Sequence, residues 1–476
     1  MRTLVLALVF TLGCVGSRGQ NNSPSAYAGI PADRIDSLMN VAGNMNLFSG
    51  NILIAHDVKI AYERSFGKAD YEKNVPNTPE TKFQLASVTK DFTRVMVLQL
   101  AERKKLSLKD NLGKYLDGFS AEANKVTLEQ LLDFTSGFGD YHNTAEFQQY
   151  QGTTMVVKDI LPIIRKERLL FEPGTRFRYS NSGYVLLGAI IERVTGKTYL
   201  EALHELILDP LNLKSTSMNG YAEPMPGIAT GYLTNELGSL RNNSEWQVAG
   251  GGDGGIYSTT HDLLAFFSSV FYDNRLLADS SKLIYATSAN NREHFKSWDE
   301  FRATGRYSPA GGAPGMSSLV AINMKSSNMF IILSNYDQGT AEEIGRRIGA
   351  ILNNRPVAPL QEPAQKYLYG IIESKGGKYF EDNYKTEIQK SGMQPDDDMV
   401  LWSVGKKLME DNDIEKAVSL YRVYTLEFPG IIVAWNGLGE AYLATGDQRD
   451  AGDCFRKALE LSPGNQRATE GLKKTE

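Results

Sequence analysis

"FQLASVTKDFTR", residues 83–94, places Ser87 three positions before Lys90. On a helix, side chains at that spacing share one face about one turn apart. A lysine so placed can take a serine's proton if the lysine is itself kept neutral. The bare pattern is common: at Ser and Lys frequencies of roughly 6–7% each, a chain of this size shows it about twice by chance. It occurs three times here, as Ser65 with Lys68, Ser87 with Lys90, and Ser403 with Lys406. Ser65 closes a strand-like run followed by Gly67, so no helix presents that pair. Ser403 opens a helix of an internal repeat, with Lys406 facing solvent. "TKDFTRVMVLQLAERKKL" (89–106) reads as a helix apolar nearly all round its middle, the mark of burial. Ser87 stands at its start.

The chain has 476 residues, 42% hydrophobic and 22% charged. That is enough for two or three domains and a large core. A formal net charge of −5 gives no sign of a nucleic-acid partner or an anionic membrane surface. The five histidines (His56, His142, His204, His261, His294) have no metal-ligand spacing, and no metal or organic cofactor is expected. "MRTLVLALVFTLGCVGSRGQ" has one arginine, a short apolar run and then small residues, the layout of an export signal. The run is too short to span a membrane. Cys14 after "TLG" resembles a lipoprotein cleavage box; the alternative is an ordinary signal cleaved later, with Cys14 discarded. The expected location is therefore the periplasm, or the membrane surface through a lipid anchor at Cys14. Cys454 is the other cysteine, so no internal disulfide is available to the mature protein.

Residues 1–20 are thus assigned to the signal and 21–44 to a tether and first helix. "FSGNILIAHDVKIAYERSFGKAD" (48–70) reads as two strands around His56-Asp57. "SSLVAINMKSSNMFIILSNYD" (317–337) reads as a second strand pair. Between them lie helical patterns: a short one from Thr127, with Gln130 in capping-box spacing; two in 182–208; and one from Thr259, with Asp262 in capping-box spacing. The expected architecture for 45–354 is α/β of the α+β kind, an antiparallel sheet built from both ends with helices and a helical insert beside it. The proline-bearing stretch 355–365 reads as a linker. In 366–476, Gly405, Leu408, Ala417, Tyr421 and Pro429 recur as Gly439, Tyr442, Ala451, Phe455 and Pro463, each pair one constant step apart. That period, about 34 residues, resembles the tetratricopeptide repeat. Its copies fall at about 398–431 and 432–465, and imply a protein partner in a helical groove.

"ASVTKDFT", "YLDGF", "LLDFTSGFGDY", "FEPGTRFRYSNSGYVLLG", "GGIYSTTHDLLAF" and "GGAPGMSS" follow one another in order. Together they resemble the serine β-lactamase-related family of class C β-lactamases, D-alanyl-D-alanine carboxypeptidases and esterases, over roughly residues 45–350. The resemblance implies an acyl-enzyme on Ser87, Lys90 as its base, and Tyr179 of Tyr179-Ser180-Asn181 as the proton shuttle. Asn181 would hold the substrate's amide or the lysine. Tyr141-His142-Asn143 and Tyr272-Asp273-Asn274 share the pattern; Tyr141 is the alternative to Tyr179, and Tyr272 reads as core packing. The glycines at 250–255 are expected to wall the cleft. Two positions depart from the family. Pro309-Ala310-Gly311 stands where Lys-Thr-Gly or a histidine motif is usual, leaving Gly311 and Gly312 as backbone substrate contacts, with the Gly312 N–H as second oxyanion donor. Phe134 stands where histidine is usual and is taken as structural. The expected activity is hydrolysis of small esters or amides, including D-amino-acid peptides or β-lactams. The alternatives are a non-catalytic sensor of peptidoglycan-like ligands, and an adaptor working through its repeats.

Overall fold

The computed structural model describes residues 30–148, 155–218, 226–234, 240–243, 251–288, 292–337, 339–394 and 396–475. The segment expected to be a signal, with Cys14, most of the expected tether and Gly250 lie outside them. Two hairpins far apart in sequence make the main sheet. Strands β1 (Gly50–His56) and β2 (Lys59–Phe66) form one, and β5 (Met316–Asn323) and β6 (Asn328–Ser334) the other, preceded by the short β3 (Arg306–Tyr307) and β4 (Ala310–Ala313). β1 pairs with β2 on one side and β6 on the other; β5 carries β3 and β4 along its outer side, and all pairs are antiparallel. The first turn falls at Asp57-Val58, one residue later than the sequence suggests, with φ of +47° and +65°. A two-residue turn of positive φ matches the right-handed twist of a hairpin, and a register shift between Ile54 and Ala55 carries His56 into the strand opposite Lys59.

Alternation along β1 sorts its side chains onto two faces. Ile52 and Ile54 pack with Ile35 and Met39 of α1 (Ala32–Asn44), and with Ile344 and Ile348 of the helix that closes the unit. Leu53 and Ala55 face the larger core, shared with α2 (Thr89–Glu102), α3 (Asn181–Thr195) and α4 (Thr260–Phe271). The closing helix is α5 (Thr340–Leu352). Both faces of the sheet are therefore covered. Thr127 and Gln130 form the full reciprocal capping box. At α4 only half of one forms: the Thr259 hydroxyl accepts from the Asp262 N–H, while the Asp262 carboxylate takes the Ser215 N–H and the Thr216 hydroxyl.

Every residue of α2 from Thr89 to Leu100 is buried: the apolar middle as its pattern requires, and also the polar first turns with Lys90, Asp91 and Arg94. The helix stops at Glu102 rather than 106. Lys104 adopts φ +55°, and the Lys105 N–H turns back to the Leu100 carbonyl, which lets the Arg103-Lys104-Lys105 run reach water.

Residues 355–363 have no regular structure, and the Arg347 guanidinium donates to the Ala358 and Pro359 carbonyls. Beyond them come α6 (Ala364–Lys375), α7 (Gly377–Ser391), α8 (Met399–Glu410), α9 (Ile414–Glu427), α10 (Ile432–Thr445), α11 (Gln448–Leu461) and α12 (Gln466–Lys473), around an apolar cluster of their own. The repeat period has a steric cause. The Tyr421 ring sits where a Cβ on Gly405 or Gly437 would approach it to 2.6 Å or 2.4 Å. Phe455, one period on, stands in the same relation to Gly439 and Gly471, at 2.7 Å and 2.4 Å. Each aromatic is thus clasped by two glycines of neighbouring helices, and Gly437 and Gly471 join the repeated set. Gly439→Val should cost about 1–3 kcal/mol by overpacking, read as a lower unfolding midpoint for the helical segment. An unchanged midpoint would show that this contact is not close-packed.

Candidate active site

Ser87 lies in a 3-10 turn, Ala86–Val88, that runs directly into α2. Ala86 has φ +45°, a conformation alanine adopts only when its surroundings hold it there. The turn is tied on two sides. The Leu85 N–H donates to the Ile256 carbonyl at 2.8 Å, and the Leu85 carbonyl accepts the Ser318 hydroxyl of β5 at 2.7 Å. β4 runs beside it so closely that a Cβ on Gly311 would lie 2.2 Å from the Leu85 oxygen and 2.9 Å from the Ser87 nitrogen. Only glycine permits this approach. Gly312, next along the strand, is exposed.

Lys90, 6% exposed, reaches back along the helix face to place Nζ 3.1 Å from Ser87 Oγ. Its amine also donates to the Asp253 carbonyl at 2.7 Å. Burial pushes its pKa down to about 8, against the opposing pull of the Asp253, Asp140 and Asp91 carboxylates. The glycine-rich loop supplies more than a wall: the Gly252 carbonyl accepts the Thr93 hydroxyl at 2.5 Å, one turn beyond Lys90. Gly252 has φ +95°, which glycine alone takes without strain. Asp253 Oδ2 accepts the Tyr141 hydroxyl at 2.9 Å.

Tyr179 immediately precedes α3, whose N-cap is Ser180: its hydroxyl accepts from the Gly183 N–H and donates to the Gly139 carbonyl. The Tyr179 hydroxyl donates to Ser87 Oγ at 2.6 Å. Lys90 Nζ lies 4.9 Å from the centre of the same ring. Of the three Tyr-x-Asn segments, this one brings its hydroxyl to the serine. The Tyr141 hydroxyl is committed to Asp253, and Tyr272 packs against the core. Asn181, the first residue of α3, donates through Nδ2 to Asp140 Oδ2 at 2.7 Å, and the same nitrogen lies 3.1 Å from His142 Nδ1. Its amide nitrogen is thus turned to a carboxylate rather than to Lys90.

The two protonation shifts divide the labour. Although part of the Tyr179 ring is exposed, desolvation around its hydroxyl and the Asp253, Asp140 and Asp91 charges drive its pKa upward against the Ser87 hydrogen bond. Tyr179 is therefore a phenol at neutral pH, able to donate or relay a proton but unsuited to accept one as a tyrosinate. Lys90, pushed the other way, is the group that can be found neutral near pH 8. Pro309 lies between β3 and β4 on the sheet's outer side, where its missing N–H costs no ladder bond; its carbonyl still accepts the Val320 N–H at 3.0 Å. The strand is fastened to α2 one position past Lys90: the hydroxyls of Tyr307 on β3 and of Tyr285 both donate to Asp91 Oδ1, at 2.5 Å and 2.6 Å.

The Asp253 and Gly252 carbonyls, the Asp140 partner of Asn181 and the Tyr141–Asp253 bond escape sequence reasoning. An accepting carbonyl has no residue-type signature, and the glycine run marks only the loop that carries it. Among the described residues, no group of three or more His, Cys, Asp or Glu could hold a metal ion, and no helix is long and apolar enough to cross a membrane.

A serine at the start of a buried helix, with a desolvated lysine amine one turn on and a phenol at its oxygen, is the side-chain set that serine acyl transfer uses. Sequence-profile comparison matches residues 40–353 to the Beta-lactamase family and residues 432–465 to the Tetratricopeptide repeat. The chain belongs to the β-lactamase family of serine hydrolases and carries a C-terminal tetratricopeptide segment. It is 29% identical over 356 residues to Penicillin-binding protein 4* of Bacillus subtilis (strain 168), covering 70% of this chain and 78% of that one. It is 30% identical over 220 residues to the Teichoic acid D-alanine hydrolase of Staphylococcus aureus, 46% of this chain and 53% of that one, so it spans about half the latter's length. The crystal structure of a penicillin binding protein from Bacillus halodurans superposes with a TM-score of 0.57 at 25% identity, covering 66% of this chain and 98% of that one.

Because the arrangement needs a neutral amine, the kcat/KM of an uncharged ester should rise with pH and level off above about 8, the value to which burial brings Lys90. Lys90→Met should remove that limb together with the activity. A pH-independent rate from 6 to 9 in the natural protein would contradict the assignment of the base.

Proposed function

We propose that the chain is an exported serine hydrolase that acts through a Ser87 acyl-enzyme on small esters or amides. The observation that carries this reading is the convergence of Tyr179 Oη and Lys90 Nζ on Ser87 Oγ, at 2.6 Å and 3.1 Å. Ser87 Oγ attacks the carbonyl and its proton passes to Lys90. The N–H groups of Ser87 and Gly312 stabilise the oxyanion, with Gly311 allowing β4 to come close enough. Tyr179 relays the proton to the departing alkoxide or amine, and water then releases the acid from the serine. Asn181, whose Nδ2 is anchored on Asp140, holds the substrate's amide. The D-alanine in the name of the staphylococcal relative supports D-amino-acyl esters and peptides as the substrate class. Export rests on the N-terminal twenty residues, with Cys14 the site of any lipid anchor. The repeats supply a surface for a protein partner.

Ser87→Ala should abolish turnover of nitrophenyl acetate, a loss of several orders of magnitude, while Ser65→Ala and Ser403→Ala should not. Retention of more than about a tenth of the rate in Ser87→Ala would overturn the nucleophile.

Pro309 bears on the choice of substrate. A carboxylate near the scissile bond needs a charged partner, and such a hydrogen bond contributes roughly 1.5–3 kcal/mol, about one to two decades in relative rate. The natural protein should therefore prefer neutral esters to penicillins, and Pro309→His should narrow that preference. The check is the ratio of catalytic efficiencies for the two substrates in both proteins. A natural preference for the penicillin would mean that another cation meets the carboxylate.

A further inference from the structure

A ladder of aromatic rings runs from the core of the hydrolase unit to the surface beside Ser87. Its inner rung is Tyr184, 2% exposed, whose hydroxyl donates to the Leu132 carbonyl at 3.1 Å. Phe134 lies nearly parallel to it, with centroids 5.1 Å apart and planes inclined at 28°. The same Phe134 ring stacks on Tyr179 at 4.8 Å and 25°, and meets Phe177 edge-on at 5.8 Å and 72°. These last two rings break the surface: Tyr179 is 43% and Phe177 49% exposed.

The outer rings are held in place. The Arg178 N–H, between Phe177 and Tyr179, donates to the Phe134 carbonyl at 2.8 Å, and the Gly174 N–H donates to the Thr135 carbonyl at 2.8 Å. Phe134 itself has a φ of 58°. A bulky residue keeps that conformation only where the surroundings over-determine it, and such outliers gather at functional sites. Two large rings fixed in water, with their backbone already ordered, form an apolar surface whose binding cost is paid in advance. The surface also has a direction. Tyr179 Oη touches Ser87 Oγ, and Phe177, two residues before it, meets the same Phe134 ring.

We propose that Phe177 and Tyr179, held by Phe134, form a preformed subsite for an aryl or extended apolar leaving group of the ester or amide substrate. The placement on the leaving-group side rests on the reading of Ser87 as nucleophile and Tyr179 as relay. Benzyl acetate and methyl acetate share an acyl group and release alcohols of similar basicity, so the ratio of their kcat/KM values isolates the subsite. The benzyl ester should be favoured on the order of ten-fold or more, the scale of apolar pocket discrimination. Phe177→Ser, a change at an exposed position, should bring the ratio close to one. Equal rates for the two esters in the natural protein, or a ratio that survives Phe177→Ser, would overturn the subsite.

Saturation-transfer NMR with benzyl acetate on the Ser87→Ala protein keeps the test independent of the nucleophile. Transfer to the phenyl protons should appear there and vanish in Ser87→Ala/Phe177→Ser. No transfer overturns the subsite; transfer in a protein whose natural form turns over neither ester overturns the nucleophile instead. If Phe177→Ser only dissolves a dimer and alters neither the ester ratio nor the transfer, the rings cover a second copy of this chain and the proposal fails.

Discussion

The site depends on one lysine amine taken out of water. An ammonium at the surface, with a pKa near its ordinary value, would be almost wholly protonated at neutral pH and useless as a base. Lys90 is 6% exposed, on a helix whose other first turns are equally buried, and desolvation outweighs the three carboxylates that pull the other way. The balance is delicate because a buried charge without partners would cost several kcal/mol. The Asp253 carbonyl and Ser87 Oγ accept from the amine when it is charged and still leave it free to lose a proton. In the proposed reaction, the acid–base power of Lys90 is a property of the packing around α2 as much as of the lysine.

Most of the fold can be seen as a means of burying that helix and bringing other groups to its start. The sheet is closed by strands from both ends of the unit, and its outer strand β4 touches the Ser87 turn through a glycine. Asp91, beside Lys90, fastens that side of the sheet through the Tyr307 hydroxyl and also accepts the Tyr285 hydroxyl from a neighbouring helix. The glycine-rich loop presents two carbonyls to α2, and Tyr141 fixes the loop through Asp253. No group in this set is reactive alone.

How far the sequence discloses this differs from element to element. Two short apolar runs at each end of the unit, set around turn residues, reveal the sheet, because a strand covered on both faces leaves a nearly continuous apolar run. The apolar girth of 89–100 reveals the buried helix, and ordered motifs pick out Ser87, Lys90 and Tyr179. The left-handed Lys104 that ends α2 early, the hairpin turn displaced to Asp57-Val58 and the tilt of Asn181 toward Asp140 are set by tertiary contacts, which leave no local pattern. Phe134 is the clearest case: read as structural from sequence, it proves to be the ring on which Tyr179, Tyr184 and Phe177 all rest. In the helical segment the period is visible as recurring Gly and aromatic positions, whereas the pairing of each ring with two glycines requires the packed helices.

Lys90 is proposed to make Ser87 a nucleophile, and covalent trapping tests that role without knowledge of the substrate. The natural protein and Lys90→Met are exposed to a serine-directed fluorophosphonate, digested, and the adduct located by peptide mass spectrometry. That role predicts one adduct, on the peptide bearing Ser87, in the natural protein and none in folded Lys90→Met. An adduct on a different serine, or equal labelling of Ser87 in both proteins, would contradict it.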